Sequence, residues 1–119
     1  VLFIAAAAAR GETVFTGAAE LRVKESDRLA VMADGLTRLG VGNELAPDGI
    51  RIEGLAGTGR RLGGGEVESH GDHRIAMSFT VASLLADAPI RIRDTENVGT
   101  SFPGFVATAR ACGLQVEER

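Results

Sequence analysis

Charged residues able to carry acid–base and anion-binding chemistry are concentrated at two points of this sequence. The first is 20–28, with the sequence ELRVKESDR, in which six of nine residues are charged; the second is 72–74, with the sequence DHR. Lys24 is the only lysine among the 13 basic residues. Because an ammonium group changes its protonation on burial and arginine does not replace it in proton transfer, its place among these charges indicates a chemical role.

An apolar stripe after the first cluster predicts an amphipathic helix that carries these charges at its start. Ser26 is a suitable N-cap and Gly40 a suitable C-cap. In such a helix Glu25 falls within the apolar stripe and Arg28 at its edge. We therefore expect the carboxylate and the guanidinium to point into a cleft, with the carboxylate partly desolvated, as suits a proton donor. The stripe consists of Leu29, Met32, Ala33, Leu36 and Leu39.

The second cluster lies at the start of a helix predicted from His73 to about Ala86, with Asp72 as its cap. Apolar residues cover most of its circumference, so we expect it to be buried on most sides. Free N–H groups and the positive dipole end make a helix start a good anion site, and arginine adds bidentate binding. The two helix starts are thus predicted to form one site for a small phosphorylated or carboxylated substrate.

The remaining pattern predicts an α/β (α+β) fold in which helices are buried against a mixed sheet. A helix is expected before Gly11, which would be its C-cap, and 94–99 is expected to be a loop. Thr100 and Ser101 are expected to cap a last helix that ends at Gly113. Strands are expected at 12–17, 41–46, 50–54, 66–69, 90–93 and 114–118, with 18–23 extended and 47–49 forming a hairpin turn.

Composition excludes several classes of protein. Hydrophobic content of 45% and charged content of 24% favour a packed core over disorder. The 4% aromatic content and the net charge of −3 argue against a nucleic-acid or membrane partner. A single cysteine, Cys112, favours a reducing, cytoplasmic location, and no metal constellation is visible. The chain opens on apolar residues without a basic lead-in, so we expect neither a signal peptide nor a membrane span, but a fragment that begins inside a domain.

Three ordered motifs carry a resemblance to a known family. They are 21–29 (LRVKESDRL), 71–77 (GDHRIAM) and 100–103 (TSFP). Together they resemble the 5-enolpyruvylshikimate-3-phosphate synthase family, over essentially the whole chain. The resemblance implies transfer of the enolpyruvyl group of phosphoenolpyruvate to the 5-hydroxyl of shikimate 3-phosphate, on the route to chorismate and the aromatic amino acids, without a metal or organic cofactor.

The same resemblance implies a domain organisation. The family has two domains built from βαβαββ units, and residues 1–119 would be part of the C-terminal domain. The N-terminal domain and a catalytic aspartate just upstream of Val1 would be missing. We therefore expect the isolated fragment to be inactive, because the family's site is assembled by closure of both domains over the substrates.

The resemblance also implies roles for five residues. Glu25 resembles the glutamate that transfers a proton to or from the methylene carbon, and Lys24 the lysine near shikimate 3-phosphate and the reacting centre. Arg28 and Arg74 resemble the arginines that hold the phosphate and carboxylate of phosphoenolpyruvate. His73 resembles a histidine of the same pocket.

Two positions depart from the family pattern. Thr100 stands where the better-known bacterial branch has a lysine, and Glu20 stands where some members have asparagine.

Two alternative functions remain open at this point. One is an enolpyruvyl transferase acting on UDP-N-acetylglucosamine, which shares the fold; the other is a non-catalytic binding module of that fold.

Overall fold

A computed structural model describes residues 1–119 and has the expected alternation of helices and strands. The antiparallel and parallel strand pairs together confirm the α/β (α+β) class. Its elements are α1 (Leu2–Ala8), β1 (Glu12–Phe15), a 3₁₀ turn (Ala19–Val23), α2 (Arg28–Arg38), β2 (Asn43–Ala46), β3 (Gly49–Glu53), β4 (Gly65–Glu68), α3 (His73–Ala82), a second 3₁₀ turn (Ser83–Leu85), β5 (Ile90–Arg93), α4 (Glu96–Ser101) and α5 (Phe105–Ala111).

The strands form two small sheets. The first is antiparallel in the order β1-β3-β2, and Ile50 of β3 lies between Phe15 and Leu45. The predicted hairpin is therefore confirmed. The second sheet pairs β4 and β5 in parallel, with Val67 opposite Ile92. Since parallel neighbours need a crossover, α3 makes that connection and is packed into the interior.

The core lies where α2, α3 and the inner face of β3 meet. Leu36, Ile50, Ile52 and Phe79 are at most 1% exposed there. The two helices touch at Gly35, because a Cβ atom added at this position would lie 2.2 Å from a ring carbon of Phe79. Only a residue without a side chain allows so close an approach. This contact fixes how closely α2 and α3 pack at that point.

The start of α2 differs from the prediction. The helix begins at Arg28 and is capped by Asp27, whose side chain accepts a backbone N–H of the first turn at 3.1 Å. Ser26 was therefore the wrong cap; its hydroxyl donates instead to Asp72, at 2.7 Å. Because Glu25 precedes the helix, its placement within the apolar stripe was also wrong. Its side chain is 55% exposed rather than directed into the core.

Several boundaries elsewhere also need correction. Residues 19–23 form a 3₁₀ turn rather than an extended segment. Helix α1 ends at Ala8 with Ala9 extended, so Gly11 is not its cap. Helix α3 ends at Ala82, and 83–85 continue it as a tighter turn. None of the helices is both long and apolar enough to cross a membrane.

The C-terminal region departs most from the prediction. The expected loop at 94–99 contains most of α4, and Thr100 and Ser101 lie in the last turn of that helix instead of capping the next one. Helix α5 begins after Gly104 and ends at Ala111 with Cys112 as its C-cap, close to the expected end at Gly113. Residues 114–118 form no strand. A strand needs a neighbouring strand to pair its N–H and C=O groups, and neither sheet of the structure includes residues 114–118.

Candidate active site

A buried ion pair joins the starts of α2 and α3. Arg28 Nε donates to Asp72 Oδ2 at 2.8 Å, and Arg28 Nη2 donates to Asp72 Oδ1 at 3.3 Å. The arginine side chain is 11% exposed and the carboxylate is fully buried. Asp72 also caps α3, as predicted, by accepting the backbone N–H of Arg74 at 3.0 Å. The two charged motifs, which are far apart in sequence, therefore meet in space.

The electrostatics of this pair favour its charged form. Burial alone raises the pKa of Asp72, but the hydrogen bonds from Arg28 and Ser26 and the positive charge of Arg28 outweigh that effect. The pKa of Asp72 consequently lies below its ordinary value. A carboxylate that stays ionised in this position keeps the guanidinium fixed between two helices.

A polar cleft of about 410 Å³ opens beside the pair. None of its lining residues is hydrophobic, so it is chemically suited to a small, strongly hydrated ligand rather than an apolar one. No group of three side chains in the structure could hold a metal ion. The cleft is lined by Glu25, His70, Gly71, His73, Asn97, Thr100 and Ser101.

Helix α4 forms one wall of this cleft. Asn97 Nδ2 donates to the carbonyl oxygen of Gly71 at 2.7 Å, which holds α4 against the turn before α3. That turn is tight, because His70 and Gly71 both have positive φ angles, of 52° and 71°. Sequence reasoning missed Asn97 as a lining residue because α4 was expected to be a loop, and it did not assign His70 to the site.

Glu25 contacts the same guanidinium from the solvent side. Its carboxylate accepts a hydrogen bond from Arg28 Nη2, so Arg28 lies between a buried acid and an exposed one. Arg28 Nη1 makes no hydrogen bond within the chain. Glu25 and Arg28 are thus in contact through an i,i+3 pair across the helix start, whereas the sequence predicted only that both groups point into a cleft.

Lys24 and Arg74 lie apart from the cleft lining. The Lys24 ammonium is paired with Glu20, and this hydrogen bond and the lysine charge hold the pKa of Glu20 below its ordinary value. Arg74 is exposed and lies near the start of α1. The other three predicted residues are those gathered at the cleft and the ion pair.

Arg22, another cation of the first motif, has a structural role. It donates to the carbonyl oxygens of Pro47 at 2.8 Å and Ala46 at 2.7 Å, and its third contact is with Asp27 at 2.8 Å. These contacts clamp the 3₁₀ turn against the β2–β3 hairpin. They also fix the path of the short segment 24–25.

Comparisons with known proteins identify the family of the chain. The family model described as EPSP synthase (3-phosphoshikimate 1-carboxyvinyltransferase) matches residues 1–108. The chain is 63% identical over 116 residues to a 3-phosphoshikimate 1-carboxyvinyltransferase of Halorhodospira halophila, covering 98% of this chain and 25% of that protein. It is 61% identical over 116 residues to the protein of the same name from Methylococcus capsulatus, again covering 98% and 25%.

Solved structures give the same result. An EPSP synthase from Acinetobacter baumannii is 56% identical and superimposes with a TM-score of 0.92, over 98% of this chain and 27% of that chain. The chain thus spans about a quarter of the length of the curated relatives it matches. These names do not favour the nucleotide-sugar alternative. The resemblance and the fold expected from the three motifs are confirmed, and the chain belongs to the EPSP synthase (3-phosphoshikimate 1-carboxyvinyltransferase) family.

Proposed function

We propose that residues 1–119 are part of the C-terminal domain of a two-domain 3-phosphoshikimate 1-carboxyvinyltransferase. The whole protein transfers the enolpyruvyl group of phosphoenolpyruvate to the 5-hydroxyl of shikimate 3-phosphate and releases phosphate. The observation that carries this proposal is the buried pair of Arg28 and Asp72, which brings both charged motifs to one polar cleft. The family membership and the share of the relatives' length that the chain covers support it.

In this proposal the cationic residues bind the substrate anions. Arg28 and Arg74 hold the phosphate and carboxylate of phosphoenolpyruvate, since a guanidinium matches either group with two parallel hydrogen bonds. His73, which lines the cleft, adds a hydrogen bond to the same substrate. Lys24 binds shikimate 3-phosphate close to the reacting hydroxyl. Lys24 and Arg74 are both exposed, so their side chains are able to turn toward a ligand on the nanosecond timescale.

Proton transfer at the methylene carbon is assigned to Glu25. The 5-hydroxyl oxygen loses its proton to water and bonds to C2 of phosphoenolpyruvate. At the same time C3 gains a proton, so the C2–C3 double bond becomes a single bond and a tetrahedral intermediate results. The C2–O bond to phosphate then breaks and C3 loses a proton, which regenerates the double bond in the product. The assignment is supported by the position of Glu25 in the cleft lining and by the exposure of its carboxylate, since a proton donor must reach the reacting carbon.

The substrates and the rest of the protein are the partners of this segment. The N-terminal domain supplies the remaining ligands and closes over the cleft, so the isolated 119-residue chain is expected to show no turnover. A cytoplasmic location, as for other proteins without disulfides, stays a prediction.

A chimeric protein, called the graft below, tests the proposal. In the graft, residues 1–119 replace the matching quarter of the Halorhodospira halophila relative, and the release of phosphate is measured in the presence of both substrates. The graft should turn over, and Glu25→Gln should lower kcat by about 10²- to 10⁴-fold, the usual contribution of a general acid–base group. Glu118→Gln, at an exposed position far along the chain, is the matched control and should have no effect. A folded graft without turnover would sink the proposal and favour the non-catalytic binding module.

A further inference from the structure

We infer that Asp72 is a positioning residue, which holds the guanidinium of Arg28 in a fixed orientation for binding a substrate anion. The inference rests on the proposed function for the identity of that anion. It goes beyond the capping of α3, which needs only one acceptor oxygen.

The hydrogen bonds of Asp72 distinguish the two roles. Its Oδ1 accepts from the backbone N–H of Arg74 at 3.0 Å and from Arg28 Nη2 at 3.3 Å. Its Oδ2 accepts from the Ser26 hydroxyl at 2.7 Å and from Arg28 Nε at 2.8 Å. All four partners are donors, so this fully buried position requires two acceptor oxygens. In Asp72→Asn the NH₂ group would face two of these donors and could not accept their hydrogen bonds. The substitution would nevertheless keep a preferred helix cap, since asparagine is among the favoured N-cap residues.

The consequence for Arg28 is a guanidinium fixed along one edge. Nε and Nη2 are held by the buried acid, while Nη1 makes no hydrogen bond in the chain. Arginine side chains lose much rotamer freedom when they bind a ligand, and a partner that orders the side chain beforehand removes that cost. Asp72 therefore supplies the orientation before any substrate arrives.

Glu25 makes a different contact with the same group. It approaches Nη2 from the solvent side and its side chain is 55% exposed, whereas Asp72 is fully buried. An incoming phosphate or carboxylate can therefore replace Glu25 while the contact with Asp72 is kept. The exchange also releases the Glu25 carboxylate at the cleft.

The first test reads the orientation of Arg28 without requiring turnover. In the graft, labelled with ¹⁵N-arginine, the Nε–H signal of Arg28 is identified by its loss in Arg28→Lys. This signal should exchange slowly with water and should lose its protection by at least about 10-fold in Asp72→Asn, because a buried charge pair of this kind normally opens rarely. Asp72→Ser keeps a good helix cap but removes the ion pair, so it should lose the protection as well. Asp34→Asn, in an exposed pair with Arg38 on the same helix, is the control and should leave the signal unchanged.

The second test reads the effect on the substrate. Asp72→Ser should raise KM for phosphoenolpyruvate by on the order of 10-fold or more, with a smaller change in kcat, since binding rather than chemistry is disturbed. In an Arg28→Lys background the same change should add little, because the residue acts through Arg28. Unchanged Arg28 exchange in Asp72→Ser, or effects of the two substitutions that simply add, would overturn the inference. An inactive graft with a protected, Asp72-dependent Arg28 signal would instead count against the proposed reaction alone.

Discussion

Replacing Gly35 by alanine tests how closely α2 and α3 must pack for the site to form. The added Cβ would lie 2.2, 2.6 and 3.0 Å from three ring carbons of Phe79, whose side chain is fully buried. Carbon atoms in contact prefer about 3.5–4.0 Å, so the ring or the helix must move by more than about 1 Å. Alanine gains about 1 kcal/mol in helix propensity, whereas overpacking costs up to about 3 kcal/mol. Because a rigid ring has no free space to turn into, we expect a net loss of about 2 kcal/mol in the free energy of unfolding.

Urea unfolding followed by far-ultraviolet circular dichroism measures this loss, since the chain has no Trp or Tyr for fluorescence. Gly99→Ala is the matched control: Gly99 also lies in a helix, but nothing stands within 4 Å of an added Cβ. It should raise the stability by up to about 1 kcal/mol. Phe79→Leu should restore part of the loss in the Gly35→Ala background, as expected for residues in contact. If Gly35→Ala were as stable as the unmodified chain, the close contact between α2 and α3 would be refuted.

The ion pairs give three further predictions. The pKa of Asp72 is lowered in the folded protein because the hydrogen bonds from Arg28 and Ser26 outweigh burial. The ionised carboxylate therefore stabilises the folded state above the unfolded pKa of about 4, and this contribution is lost as pH falls through the folded pKa. Asp72→Asn should therefore cost about 3 kcal/mol at pH 7 and progressively less below pH 4, as read from urea midpoints across that range. Arg22→Lys loses its paired carbonyl contacts and should cost about 1–2 kcal/mol in the same assay, whereas Arg38→Lys, in an exposed pair, should stay within about 0.5 kcal/mol. Arg51→Ala removes contacts to carboxylates on all three strands of the first sheet, so it should lower the urea midpoint of unfolding. The decrease should become smaller as the salt concentration is raised, and a decrease that does not depend on salt would contradict the prediction.

Periodicity was enough to predict the parts of the fold that bury apolar surface locally. The stripe of α2, the nearly all-apolar α3 and the β2–β3 hairpin all appear where expected, because their residues repeat with the period of the element they form. The sequence also predicted that the two charged motifs would meet, and the ion pair between Arg28 and Asp72 is the contact through which they do so.

The errors arise where a residue's partner is distant in sequence. Ser26 and Asp27 are equally good caps locally, and the choice is made by Asp72, which takes the serine hydroxyl for itself. Residues 96–101 contain Gly, Thr and Asn, which are poor helix formers, yet Asn97 anchors this helix to the turn before α3. Helix propensity depends only on local sequence and takes no account of such contacts. Helix α4, which forms one wall of the cleft, could therefore not be predicted from propensity.

The clamp made by Arg22 has a consequence for engineering. The β2–β3 connection presents two carbonyl oxygens, those of Ala46 and Pro47, and the path of the segment bearing Lys24 depends on where they stand. Lengthening or shortening that connection by one residue would shift this anchorage and thereby re-aim the segment relative to α3. The hairpin tip thus offers a remote way to shift the segment that bears Lys24 and Glu25 without substituting any residue that lines the cleft.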